Sequence, residues 1–206
     1  MTLVEVIVVI FVVAFLAWVL LPALMSGHRT NSNTACVRNL MEIGLAFKIW
    51  EGDNGDKYPM QVYATNSDMM KRVISGNTWA LWQTMSNELS TPKILHCPDD
   101  KQRTEALSFT QNFSDANISY FFNLDASDNY PQMILDGDDN LAVNGVRVPP
   151  GILNLQTNAS VTWTKDRHQG AGNLGMADGS VQQATIAGLS AAFVNSGSVT
   201  NRLVIP

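Results

Sequence analysis

The chain opens with an apolar run that no later segment matches. From Val6 to Leu21 no side chain is polar, and between Glu5 and His28 none is charged. As a helix rising about 1.5 Å per residue, residues 1–25 reach roughly 35 Å, the depth of a hydrocarbon layer. Ser26 to Thr34 is polar and poor in helix formers, and marks the exit from apolar surroundings. Pro22 and Gly27 flank this exit and both weaken a helix. From Ala35 a helical pattern returns, with Val37, Leu40, Met41, Gly44 and Phe47 on one stripe. Gly52-Asp53-Asn54-Gly55-Asp56 stops it, and Tyr58-Pro59 leads away extended.

Beyond this the pattern shortens. Helices are expected over Ser67–Ile74 and Asn77–Met85, the second capped by Asn77 or Thr78. Strand-like runs cover Ile118–Leu124, Gln132–Leu135, Leu141–Val148, Ser160–Thr164, Asn173–Ala177 and Ser180–Thr185. Asp178-Gly179 separates the last two as a hairpin turn. Ala187–Val194 reads as a short helix, followed by a polar and then apolar tail. The fold class is α+β: a long N-terminal helix packed on an antiparallel sheet. Three parts are expected: an apolar helix over 1–27, its amphipathic continuation over 28–56, and a globular head over 57–206.

The N-terminal pattern fits a secretory signal peptide poorly. Such a peptide starts with Lys or Arg and ends at a small-x-small site, whereas this run has Glu5 in front and Ala23-Leu24-Met25 behind. A plain membrane anchor leaves Glu5 unexplained, because a carboxylate in or near the bilayer is costly and wants a partner. Glu5 lying in the headgroup layer is the bland alternative. Met1-Thr2-Leu3-Val4-Glu5 with the apolar run and Pro22 behind it resembles the start of a mature type IV pilin or type II secretion pseudopilin. The resemblance implies cleavage by a prepilin peptidase just before Met1 and methylation of the new amine. It also implies pairing of Glu5 with the terminal amine of a neighbouring subunit. On this reading the chain is the processed form. A second resemblance runs through Cys36, Asn39-Leu40, Asp53-Asn54-Gly55, His96-Cys97-Pro98 and His168 with Asp178-Gly179. Together these look like pilin-like proteins with a processing-associated His-x9-Asp-Gly element, a family that implies architecture and export more than a task.

Charge and cysteine content refine the picture. Lys and Arg total 13 against 18 Asp and Glu, a formal charge of −5. A nucleic-acid partner would want a basic face, which this composition argues against. The two cysteines, Cys36 and Cys97, are either one disulfide or two buried thiols. The extracytoplasmic location that the resemblance implies favours the bond, stapling head to rod. His96-Cys97 as a catalytic or metal pair has only adjacency in its favour.

Other motifs have structural explanations beside chemical ones. His168 and Asp178 are acid/base candidates, but no Gly-x-Ser-x-Gly elbow accompanies them. The structural reading puts His168 near the Asp178-Gly179 turn, with Asp178 holding the turn. Gly170-Ala171-Gly172-Asn173-Leu174-Gly175 spells a dinucleotide-binding pattern, yet a turn follows it where a helix is needed, and no acid lies beyond Asp178. It reads as a loop-and-hairpin glycine cluster. Asp136-Gly137-Asp138-Asp139-Asn140 starts like a calcium loop but has Leu141 at its sixth position and Arg147 at its twelfth. An acidic turn is expected, with a Ca²⁺ site of another type as the alternative. Trp79 and Trp82 share a helical face and read as core.

The expectation is a non-enzymatic structural subunit without cofactor or metal. Its partners would be copies of itself, a prepilin peptidase, the assembly machinery and the membrane. It would sit in the bacterial inner membrane first and in an extracellular filament afterwards. A pseudopilin of a secretion piston is the nearest alternative, and a membrane-anchored enzyme or binding module the remoter one.

Overall fold

The computed structural model describes residues 3–64 and 67–206, the side chains of 19–31 and 67 excepted. Met1, the expected processing and methylation site, lies outside the described residues. Helix α1 (Leu3–Asp53) is one helix of 51 residues, about 76 Å long. Its backbone stays helical through Pro22 and Gly27. Among the described residues no helix is long and apolar enough to cross a membrane.

The head buries one stripe of α1. Cys36, Leu40, Ile43 and Phe47 are fully buried, at the i, i+4, i+7, i+11 spacing of a single face. Met41, expected on that stripe, points outward with Leu45 and Ile49, because it lies about 100° around the helix from Leu40. After the turn at Asn54–Lys57 come α2 (Pro59–Tyr63), α3 (Ser67–Ile74), α4 (Trp79–Thr84) and α5 (Ser86–Leu89). Pro59 opens α2 instead of an extended segment, since proline suits the first turn of a helix. Helix α4 has no capping side chain of its own at Thr78. The Asp115 carboxylate caps it from a distance, accepting from the Thr78 and Trp79 amides at 3.2 and 2.7 Å and from the Thr78 hydroxyl.

The strands are β1 (Tyr120–Asn123), β2 (Ile134–Asp138), β3 (Leu141–Val143), β4 (Val146–Arg147), β5 (Gly151–Gln156), β6 (Val161–Trp163), β7 (Gly172–Met176), β8 (Val181–Ala184) and β9 (Thr200–Ile205). Helix α6 (Ile186–Asn195) joins β8 to β9. Six strands form an antiparallel sheet in the order β5-β9-β1-β2-β7-β8, and β4-β3-β6 form a small second sheet. The run expected as one strand over Leu141–Val148 is a hairpin. Asn144 and Gly145, both at positive φ, turn the chain between β3 and β4.

The large sheet has a core on each face. Cys36, Phe47, Tyr58, Trp82, Tyr120, Phe122 and Leu135 pack between α1, the short helices and the sheet. Phe121, Ile134, Leu174, Met176, Leu189 and Phe193 pack on the opposite face under α6 and the small sheet. The alternation of Tyr120, Phe121 and Phe122 between the two follows from the strand period of two. Trp82 is buried and meets Phe47 and Phe122 edge-on. Trp79 packs against Phe113 at the edge of this core.

Candidate functional site

Two regions stand out along α1, its N-terminal stretch and the part that meets the head. The first is its N-terminal stretch. Every residue from Leu3 to Trp18 is exposed, and thirteen of them are large and apolar. Leu3, Phe11 and Trp18 are 76, 73 and 74% exposed, so the surface is apolar on all sides. Glu5 is the one charged side chain in this stretch. Pro22 lies within the helical backbone where side chains are not described.

The second region is the junction where α1 meets the head. Cys36 on α1 and Cys97 are joined in a disulfide, with Cα atoms 5.2 Å apart. Asn39, one turn along, donates to the His96 carbonyl at 2.9 Å and approaches the Tyr120 hydroxyl. His168 reaches the same place from the loop between β6 and β7. Its Nε2 lies 3.4 Å from Cys97 Sγ and 3.4 Å from Asp138 Oδ2. Its Nδ1 lies 3.6 Å from Asp99 Oδ2, which also accepts from the His168 amide at 2.7 Å.

Strand register explains why acids gather here. Leu174 and Met176 point to the far core, so Asn173 and Gly175 point toward α1. Asp136 opposes Gly175 and Asp138 opposes Tyr120, and a register shift after Ile134 turns both acids to the α1 side. The segment expected as an acidic turn is therefore the end of β2 and its continuation, and Asp136, Asp138, Asp139 and Asn140 are all buried. Two arginines offset this charge. Arg167 donates to the Ser119 carbonyl at 2.9 Å, pairs with Asp139 and lies 3.5 Å from Asp100. Arg103 reaches Asp139 at 2.5 Å and Asp100 at 3.3 Å.

The charges respond accordingly. Burial pushes the Asp100 carboxyl up, but Arg167, the Gln102 amide, the Ser119 hydroxyl and Arg103 more than offset this and hold it below the usual carboxylate range. Burial, then the neighbouring charge of Asp138, pushes Asp136 well above that range, and the Gly175 amide offsets only part of the rise. Sequence reading did not single out Asp99, Asp100, Arg103 or Arg167. The adjacency of Arg167 to His168 and of Asp99 to His96-Cys97-Pro98 was the available signal.

The remaining motif residues serve packing and turns. Asp178 is exposed and accepts from the Ser180 amide at 2.8 Å and hydroxyl at 2.6 Å. Its position holds the β7–β8 turn, while the contacts of His168 are with Cys97, Asp99 and Asp138 instead of that turn. The glycine cluster enters β7. A Cβ at Gly172 would come within 2.6 Å of the Trp163 ring, and one at Gly175 would collide with the Asp136 carboxylate. Close packing within the sheet thus accounts for these two glycines, and no helix opens after them.

The arrangement can bind apolar surface at the N-terminal end of α1 and holds α1 to the head through the Cys36–Cys97 disulfide, beside a charge-compensated cluster in the head. Comparison of the chain with family models, curated proteins and solved structures finds no match.

Proposed function

We propose that this chain is a structural subunit of a type IV pilus-like extracellular filament, assembled through α1 and held in the bacterial inner membrane beforehand. The observation that carries this reading is the all-round exposure of Leu3–Trp18 on a helix that continues without a break into the head. A helix apolar on every side is suited to surroundings that are apolar on every side. In lipid these side chains gain little from one another by the hydrophobic effect, so packing between rods and the placement of Glu5 must set the register. In a filament surrounded by water the balance changes. Burying one large apolar side chain is worth about 1.5–3 kcal/mol. Thirteen such side chains per subunit then make dissociation very unfavourable.

The head supports the same reading. The disulfide and the hydrogen bond from Asn39 to the His96 carbonyl fix it to α1, so that the rod's position dictates the head's. The test is Glu5→Ala in cells that export the protein. Loss of surface filaments in electron micrographs, with the chain still in the membrane fraction, is the expected result. Unchanged filaments would reject the role of Glu5 in register.

A further inference from the structure

We propose that, once the Cys36–Cys97 disulfide is reduced, the junction is a zinc site made by both thiolates, His168 Nε2 and the Asp138 carboxylate. The inference goes beyond filament formation and holds whether or not the chain polymerises.

The donor atoms are already assembled. The two sulfurs and a His168 ring nitrogen lie within 4.8 Å of one another. Sulfur and imidazole nitrogen are preferred zinc donors, and four-coordinate sites of thiolate, imidazole and carboxylate suit the ion. Two thiolates on one zinc at about 2.3 Å stand about 3.8 Å apart, which cysteines with Cα atoms 5.2 Å apart can supply. Asp138 provides the fourth donor. It is fully buried, its Oδ2 is 3.4 Å from His168 Nε2 and accepts from the Asn173 amide and side chain at 2.7 and 2.9 Å, and its Oδ1 receives no hydrogen bond and lies 4.0 Å from the Arg167 guanidinium.

The surroundings of His168 match those of a metal-bound imidazole. Its Nδ1 faces the Asp99 carboxylate at 3.6 Å, just beyond hydrogen-bond length, on the side from which a carboxylate orients a ligating histidine. Nε2 faces a sulfur and a carboxylate oxygen, both electron-rich. A cation placed among the three satisfies all of them. The backbone is held to this geometry: His168 and Gln169 both adopt positive φ, at 50° and 59°, which non-glycine residues rarely do. A cavity of about 400 Å³, lined by Asn33, Asp99, Lys165, Arg167 and His168 among others, lies beside the imidazole.

The chemistry balances. A phosphine reductant delivers two electrons to the disulfide, two protons enter to give two thiols, and the phosphine leaves as its oxide with oxygen from water. Zinc binding then releases the two thiol protons to solvent. The metal replaces the covalent staple between α1 and the head, so one junction persists in oxidising and reducing surroundings.

The experiment takes the full-length chain in detergent, oxidised or reduced with a phosphine, equilibrates it with zinc, removes free ion and measures bound metal by mass spectrometry. About one zinc per chain is expected after reduction and almost none before it. Cobalt in place of zinc should give the sulfur-to-metal charge-transfer band of a tetrahedral thiolate site. That band should vanish in Cys36→Ser, and Asp99→Asn should weaken metal affinity about 10–100-fold. Equal retention by the oxidised chain, or by a His168→Ala variant, would overturn the proposal. So would a reduced chain that keeps its circular dichroism and binds no metal. If reduction unfolds the head, zinc must restore its ellipticity; failure to do so also counts against the site.

Discussion

Gly44 of α1 and Gly179 of the β7–β8 turn meet backbone to backbone: a Cβ built on Gly44 would lie 3.7 Å from the Gly179 Cα. This contact seats the hairpin on the helix, with Gly179 at a φ of 86° that other residues rarely adopt. A single methyl fits there at ordinary contact distance, and alanine favours the helix over glycine by up to about 1 kcal/mol. Gly44→Ala should therefore hold or slightly raise the denaturant midpoint. Gly44→Leu should lower stability by about 1–3 kcal/mol, because the turn must move away.

Arg167 and Arg147 both pair with aspartates, but in different surroundings. Arg167 is buried against Asp139 and Asp100, whereas the Arg147–Asp166 pair is largely in solvent. Removing one partner of a buried pair leaves charge without compensation and costs about 3–5 kcal/mol, while exposed pairs contribute about 0–1 kcal/mol. Urea unfolding of Arg167→Ala and Arg147→Ala, side by side, should show that contrast. Equal effects would mean that the junction is wetter than its burial indicates.

These residues show what the sequence revealed and what it concealed. The helix over Ser67–Ile74, the Asp178-Gly179 hairpin and the buried face near Leu40 and Phe47 are local signals, carried by spacing and turn chemistry. Strands β5 and β9 escaped because each is stabilised by the other across the edge of the sheet. Their polar positions, such as Asn154, Asn201 and Arg202, blur the alternation. The acids of Asp136–Asn140 suggested a turn because buried carboxylates are rare. Asp139 is compensated there by Arg103 and Arg167, distant in sequence and brought together by the fold. In the same way Cys36, Cys97 and His168 were each visible, but their convergence required the fold.

Asp136 predicts a pH dependence. Burial and the charge of Asp138 raise its carboxyl in the folded chain above the ordinary value of 3.8. The fold holds the proton where the unfolded chain has lost it, so this group costs nothing below that ordinary value. Its cost grows as pH rises above it. Asn cannot ionise. Asp136→Asn should therefore gain stability relative to the parent as pH rises above about 4, measured by urea unfolding. A parent–variant difference that stays constant with pH would contradict this account. Asp100, held below the usual range, acts in the opposite sense: its contribution is complete above the ordinary value and is lost as pH falls through the lowered one.

Whether bare rods seek one another can be asked of the purified full-length chain by withdrawing detergent and examining the product by sedimentation and negative-stain microscopy. Thirteen large apolar side chains on an open helix should drive it into ordered, elongated assemblies. A stable, soluble monomer under those conditions would contradict the account.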